Sequence, residues 1–244
     1  MRLVYTLSIS GLLWFGWLQA LAQWVSPAPT TYTPTSNTLP KWVVKFAPLS
    51  LLDPSGTVQF ALERTIGHQQ SLQFEAGYGS QRTNIWQQPD NNHYTRYSQY
   101  EVWRGRAEWR YYWRRFQAPI GSYLALEGLY KQENAFENGT VGVGVNEQTG
   151  QYQYYQLYSL PLSKHVWAFT VKVGRQFPLP FNNRFVADFY GGLGIRHRTI
   201  TRPDRPEGYL FYSSSGSLID PFSTASSPYS FLNVSYGVKV GYTF

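Results

Sequence analysis

Apolar and polar side chains alternate with a period of two along most of this chain, most clearly at its end. In 232–244 every even position is apolar and every odd position is polar or glycine. Successive side chains of a strand point to opposite faces of a sheet. The segment is therefore predicted to be a strand with one wholly apolar face and one polar or small face.

The same alternation predicts seven further strands upstream. They cover about 41–48, 57–66, 71–80, 99–115, 121–134, 165–177 and 184–199. Segments rich in polar residues, glycine and proline separate them, and Asp53-Pro54-Ser55-Gly56 is typical of a turn. We therefore expect eight antiparallel strands, joined by short turns at one end and by mostly longer connections at the other.

The segment 135–164 supports two interpretations. Asn138-Gly139 is a strong signal for a tight hairpin turn, and 151–160 is a Tyr- and Gln-rich run typical of a strand. The segment is either one long loop with a hairpin outside the barrel or two further spanning strands. We prefer the loop, because 140–146 is shorter than the roughly 9 to 11 residues of a spanning strand and contains two glycines. A ten-stranded barrel stays open as the alternative.

Alternation alone does not say which face lies inside. A soluble lipocalin-like periplasmic binding barrel would have an apolar interior. Long strands, Trp and Tyr near strand ends on the apolar face, and glycine with charges of both signs on the other face favour a membrane protein instead. We therefore predict an all-β, eight-stranded antiparallel up-and-down transmembrane β-barrel over 41–244.

The closing strand, which ends on an aromatic residue, resembles the last strand of bacterial outer-membrane β-barrels. This resemblance implies that Tyr242 and Phe244 form a signal for the barrel-assembly machinery. The whole barrel region resembles the OmpA/OmpX type, and KFAPLSLLDPSGTVQFALER (45–64) and DFYGGLGIRHR (188–198) resemble a family of small exported barrels of uncharacterised function. The resemblance implies a location in the bacterial outer membrane and contact with its lipid, and it supplies no catalytic residues.

The first 40 residues are predicted to lie outside the barrel. Residues 1–22 contain Arg2, an apolar centre over about 12–18 and the small-residue pattern Ala20-Leu21-Ala22, which is typical of a cleaved secretory signal peptide. Residues 23–40 are rich in Pro, Thr and Ser and have no charge, so we expect an extended periplasmic linker.

The amino-acid composition excludes several kinds of site and makes nucleic-acid binding an unexpected function. The chain has no cysteine, which excludes disulfides, thiolate metal sites and a lipid anchor on cysteine. Charged residues make up 14% and aromatic residues 18% of the chain, and its formal net charge is +7. A basic exported protein is not expected to bind nucleic acid, although its surface suits anionic lipid headgroups.

The polar faces of the predicted strands supply acids and bases to the interior. An eight-stranded barrel is just wide enough for side chains to fill it, so we expect these charges to form an ion-pair plug rather than a small channel. Unpaired, each buried charge costs several kcal/mol, which explains the mixture of signs. The predicted lumen residues are Lys45, Glu63, Glu75, Arg104, Arg106, Glu108, Arg110, Glu127, Lys131, Lys172, Asp188, Arg196, Arg198 and Lys239.

Few features of the sequence indicate an enzyme. The four histidines are scattered and form no metal-binding spacing, so we expect no cofactor and no metal. An alternative is a lipid-modifying enzyme that uses His197 with a serine among 213–215. We prefer a non-enzymatic structural or interaction role, in which the loops 81–98, 135–164 and 200–229 contact a surface protein or glycan.

Overall fold

The described part of the chain is built almost entirely of antiparallel strands. The computed structural model describes residues 42–83, 96–113, 117–146, 149–206, 209–211, 222 and 229–244. The strands are β1 (Trp42–Phe46), β2 (Val58–Thr65), β3 (Gln70–Ser80), β4 (Tyr97–Tyr112), β5 (Gly121–Val145), β6 (Tyr152–Leu179), β7 (Asn182–Thr201), β8 (Tyr209–Phe211) and β9 (Tyr229–Thr243). The predicted signal peptide and linker lie outside the described residues.

Eight of these strands close into a ring in chain order. Each of β1 to β6 pairs with the next strand, β7 pairs with β9, and β9 pairs back to β1 over four residues. The three-residue β8 lies outside the ring and pairs with β5. The prediction of an all-β, eight-stranded up-and-down barrel is confirmed. No helix among the described residues is long and apolar enough to cross a bilayer.

The register of the ring fixes the tilt of its strands. Cross-strand partners followed from Phe46 through β2 to β7 lead to Ser230 of β9. The direct partner of Phe46 across the β1–β9 seam is Val240, ten residues further along β9. Eight strands with a shear of ten tilt by about 41° from the barrel axis, given usual strand spacings.

The two ends of the ring differ in their connections. At one end, called the turn end here, 66–69, 113–120 and 180–181 join successive strands, and the described chain begins and ends there. At the other, called the loop end, the connections are 47–57, 81–96, 146–151 and 202–228.

The segment 135–164 corrects our expectation of a loop. Residues 135–145 continue β5 and 152–164 continue β6, so the two strands run unbroken into a long hairpin. The predicted turn at Asn138-Gly139 is wrong, because these residues pair with Ser159 and Tyr158 inside the hairpin. The chain turns at 146–151 instead, where Gly150 adopts a positive φ of 65°. The number of barrel strands stays at eight.

The ring turns its polar face inward and its apolar face outward. Phe74 is 62% exposed and Val234 59% exposed, and many large apolar side chains on the same face are similar. Their neighbours along each strand are buried, including Lys45, Glu63 and Asp188, each at 1% or less. The interior is therefore charged, the reverse of a soluble lipocalin-like barrel.

The connection between β1 and β2 lies against the ring at its loop end. After β1 the chain forms a short 3-10 helix, Pro48–Leu51, which contacts β9. Ser50 Oγ hydrogen-bonds the carbonyl oxygens of Ala47 and Thr57, both at 2.6 Å, and Ser55 to Thr57 are buried. The predicted turn at 53–56 thus lies within an ordered loop that brings Asp53 and Ser55 to the lumen.

Candidate functional site

Ten charged side chains form one connected network at the centre of the lumen. Five are basic and five acidic, so their formal charges cancel. The network contains Lys45, Arg106, Arg110, Lys172 and Lys239 with Glu63, Glu75, Glu108, Glu127 and Asp188. All ten belong to the predicted lumen set. We call them the central network.

Arg110 joins the two halves of the central network. Its guanidinium lies 2.7 Å from Glu108, 2.9 Å from Asp188 and 3.5 Å from Glu63. It also lies over the ring of Tyr123, 4.3 Å from the centroid. Charge-assisted contacts to three carboxylates from three strands make it the most connected cation of the network.

One half of the network lies towards the turn end. Lys45 bridges Glu63 at 2.6 Å and Asp188 at 2.9 Å. Tyr112 donates its hydroxyl proton to Glu63 at 2.8 Å, and Tyr123 donates to Asp188 at 2.7 Å. These neutral donors use the remaining lone pairs of the carboxylates, which lowers the free-energy cost of burying them.

The other half runs towards the loop end. Lys172 contacts both Glu108 and Glu127. Arg106 then links Glu127 to Glu75, with 2.9 Å between Arg106 Nη1 and Glu75. Glu75 also pairs with Lys239. An unbroken chain of alternating charges therefore crosses the lumen from β9 to β6.

A second group of charges, at the loop end, was only partly predicted. Arg104 donates to Asp53 at 2.9 Å, and Lys131 and Lys164 both contact Glu133 at 2.6 Å. We call Asp53, Arg104, Lys131, Glu133, Lys164, Arg196 and Arg198 the loop-end mouth. Ser55 Oγ lies 2.8 Å from Glu133, so this group anchors the β1–β2 connection to the wall.

Two carboxyl groups of the mouth have depressed pKa values. Both lie on the loop-end side of Tyr130, where the next outward positions of β5 are the polar residues Gln132 and Asn134. Burial alone raises the pKa of Glu133, but Lys131 and Lys164 outweigh burial and lower it to about 2. Burial acts the same way on Asp53, and the Arg104 guanidinium holds its pKa well below the usual range. Both groups are therefore ionised at neutral pH.

Arg196 and Arg198 belong to the mouth and are not among the ten side chains named as the central network. Both side chains lie against Phe231, with 4.1 Å and 5.9 Å from each guanidinium carbon to the ring centroid. Among the described residues, Nε of Arg196 is buried without a hydrogen-bond partner. Both arginines therefore stack on an aromatic ring, and their place in an ion-pair plug stays a prediction.

A third group lies above the mouth, where β5 rises past the end of β4. Glu137 is fully buried and bound by Arg96 at 3.1 Å and by Arg205 at 2.8 Å. Sequence reasoning missed Glu133, Glu137 and Lys164, because all three fall near or inside the segment assigned to a loop. Glu133 and Glu137 stand an even number of positions from Lys131, and this shared face of a continued strand was the signal that would have found the two acids.

The described histidines, His68, His165 and His197, show no arrangement suited to metal binding or acyl transfer. His197 Nδ1 lies 3.0 Å from Ser230 Oγ on the outer face, and Ser213 to Ser215 lie outside the described residues. No described carboxylate bonds to the His197 ring, and no cluster of metal-ligating side chains occurs in the described part of the chain. Within the part of the chain that the structure describes, no third group orients this pair as one does for the serine of hydrolases.

The two residues of the expected assembly signal lie at the turn end. Tyr242 packs edge-on against Phe185 and accepts a hydrogen bond from Arg184 at 3.1 Å. The backbone of Phe244 bonds to that of Trp42 in both directions, at 3.1 and 3.3 Å. Both terminal aromatic residues are thus held at the β1–β9 seam.

Comparison with known proteins gives no relative for this chain. No protein-family model matches it, and neither does any curated protein or any solved structure.

Proposed function

We propose that this chain is a non-enzymatic β-barrel of the bacterial outer membrane, filled by ion pairs and engaged in surface interactions at its loop end. The observation that carries the proposal is the reversed distribution of side chains, with charges inside and large apolar groups outside. A protein in water gains its stability by burying apolar surface, so a continuous apolar exterior suits lipid.

The extent of the apolar exterior supports a membrane span. Along β6, outward apolar side chains run from Trp167 to Phe177, broken only by Arg175 near the turn end. Ten residues at a tilt of about 41° rise by about 26 Å, close to the roughly 25 Å apolar band of outer-membrane barrels. A long arginine side chain near the edge of the band reaches the headgroups.

The central network supports a closed lumen over the small-channel alternative. Lys45, Lys172 and Lys239 are fully buried and reach carboxylates on other strands, so side chains cross the lumen at its middle. Moving an ion through would require breaking several buried ion pairs, each at a cost of several kcal/mol.

The β5–β6 hairpin supports a role in surface interactions. It projects past the last pairing of β5 with β4, at Glu137 and Tyr97. Its exposed side chains include large apolar ones beside several glutamines, with Leu157 at 67% exposure and Tyr154 and Tyr155 at similar values. The segment 149–163 has no charge, and aromatic, uncharged surfaces are typical of contact sites.

Membrane fractionation with heat-modifiable gel migration tests the location. We expect the protein to sediment with the outer membrane, and to migrate faster unheated than boiled because the barrel stays folded in detergent. A protein that appears in the soluble periplasmic fraction would refute the membrane assignment.

A second experiment tests whether the β5–β6 hairpin is a contact site. A variant in which a short Gly-Asn turn replaces 141–155 keeps all eight barrel strands, so we expect unchanged heat-modifiable migration and reduced adhesion of intact cells to surfaces. Equal adhesion of the variant and the wild type would argue against the hairpin as the contact site.

The lipid-modifying enzyme is the second candidate, and among the described residues the His197–Ser230 hydrogen bond is the feature that favours it. A hydrolysis assay on detergent-solubilised protein, with His197→Ala as the comparison, decides between the two. We expect no lipid product from either form.

A further inference from the structure

The β5–β6 hairpin has one covered edge and one open edge. On the β5 side, the short strand β8 pairs with 139–141, beyond the end of β4. On the β6 side, pairing with β7 ends where Ser163 lies opposite Thr201. Among the described residues, no strand pairs with this side of β6 over 152–162. We call 152–162 the open edge.

The register of the hairpin shows which backbone groups point out from the open edge. Asn138 donates its backbone N–H to Arg96, so the backbone groups of Asn138 point away from β6. Asn138 pairs with Ser159, whose N–H and C=O groups therefore point away from β5 in turn. The direction repeats at every second residue, so Leu157 and Tyr155 also direct their N–H and C=O groups outward.

Pro161 limits the open edge at its barrel side. It pairs with Phe136 of β5 and has no N–H, so it offers no donor to another strand. Proline and charged side chains are common guards of exposed sheet edges. The positions from 149 to 160 contain neither, and the open edge is rich in tyrosine. An edge of this kind accepts a further strand through its main-chain groups.

The open edge is complementary to itself. Leu157 lies midway between 152 and 162, so an antiparallel copy centred on Leu157 would use the whole of both edges. Leu157 would then face Leu157 of the second copy, and Tyr155 would face Ser159, with about six backbone hydrogen bonds between them. The segment 149–163 has no charge, so no like charges would oppose each other across the pair.

We propose that the open edge pairs antiparallel with the open edge of a second copy of this chain, about a two-fold axis at Leu157. Such an interface uses the same surface of both copies. Antiparallel pairing turns the two loop ends towards each other, so the copies belong to two facing membranes. The inference deepens the proposed surface-interaction role by naming the partner, and it rests on that role in placing the loop end outside the cell.

Cysteine cross-linking of the purified barrel in detergent tests the register. The chain has no cysteine, so each variant carries one thiol. Residues in a hydrogen-bonded antiparallel pair have Cα atoms about 5.5 Å apart, within the range of a disulfide. Under a mild oxidant we expect Leu157→Cys to form mainly linked dimers. Ser159→Cys is the matched control and should stay mainly monomeric, because its two copies would lie about 14 Å apart.

A mixture of the Tyr155→Cys and Ser159→Cys variants gives the complementary result. These two positions face each other in the proposed pair, so the mixed dimer should exceed the dimers of either variant alone. Two outcomes would overturn the proposal: no linked dimer of Leu157→Cys, or equal cross-linking of Leu157→Cys and Ser159→Cys.

Leu157→Pro tests the pairing without a cross-link. Because the N–H of Leu157 points away from β5, proline removes an edge donor and leaves the bonds to β5 in place. Sedimentation in detergent should show dimers of the wild type and of Leu157→Thr, and at least about tenfold weaker dimers of Leu157→Pro. Heat-modifiable migration of each variant shows that the barrel has folded. A monomeric wild type, or a folded Leu157→Pro variant that dimerises equally well, would contradict the proposal.

Failure of this proposal is distinguishable from failure of the proposed function. The cross-linking is made in detergent, so its outcome does not depend on the membrane fractionation. Reduced adhesion after replacement of 141–155, together with no cross-linking of Leu157→Cys, would leave the interaction role in place and overturn only the self-pairing. Cross-linking by a protein that fractionates as soluble would do the reverse.

Discussion

At the scale of single residues, Arg110 shows how the lumen tolerates its charges. Its three carboxylate partners come from β2, from β7 and from its own strand, and all four side chains are buried. Removing water from these ions is costly, and only well-placed partners of opposite sign offset that cost. Each member of the central network therefore depends on the others.

Replacing Arg110 by glutamine should therefore be strongly destabilising. The change leaves Glu63, Glu108 and Asp188 with fewer cations, and we expect the free energy of unfolding to fall by about 3 to 5 kcal/mol. Urea titration in lipid vesicles, followed by tryptophan fluorescence, measures it. Arg184→Gln removes an exposed arginine and should leave the free energy of unfolding nearly unchanged. Equal small changes in both variants would show that the network contributes little.

Sequence alternation predicted which way each charge faces but not its partner. It placed all ten members of the central network on one face, because a strand side chain's direction depends only on its position. Partners depend on the register between strands distant in the chain, such as Lys45 and Asp188. Asp53 was not assigned to the lumen because it belongs to a turn, where side chains do not alternate between two faces and the sequence position does not give their direction.

At the scale of elements, the β1–β2 connection and the β5–β6 hairpin depart most from the predicted pattern. The hairpin was assigned to a loop because Asn138-Gly139 and two nearby glycines are typical of turns. In the structure Asn138 bonds with Ser98 and Ser159, so neighbouring strands override its local preference. Boundaries of the other barrel strands lie within about three residues of those predicted.

The β1–β2 connection should loosen in acid. Asp53 and Glu133 bind Arg104 and Ser55, and both carboxyl groups have a lower pKa in the folded protein than in the unfolded chain. Their stabilisation is complete above the unfolded pKa values, 3.8 and 4.5, and is lost as pH falls towards about 2.

The double variant Asp53→Asn with Glu133→Gln isolates this contribution from that of the central network. Urea midpoints of wild type and variant, compared between pH 7 and pH 2.5, should converge as pH falls. A constant gap between the two curves would mean that these carboxyl groups do not hold the connection.

At the scale of the whole molecule, the neutral central network inside and the apolar surface outside are consistent with each other. Eight strands with a shear of ten enclose a lumen that side chains can fill, and the central network fills it without net charge. The outward face then needs an apolar solvent, which a lipid bilayer supplies. The proposed location in the outer membrane follows from these two properties together.

Depth measurement along β6 tests this location most directly. The chain has no cysteine, so Val171→Cys and Leu157→Cys each give one site for a nitroxide label on the same strand. In lipid vesicles we expect the label at Val171 to collide more with oxygen than with a water-soluble nickel complex, and the label at Leu157 to show the reverse. A label at Val171 that meets the nickel complex as readily as the one at Leu157 would contradict the membrane-spanning barrel.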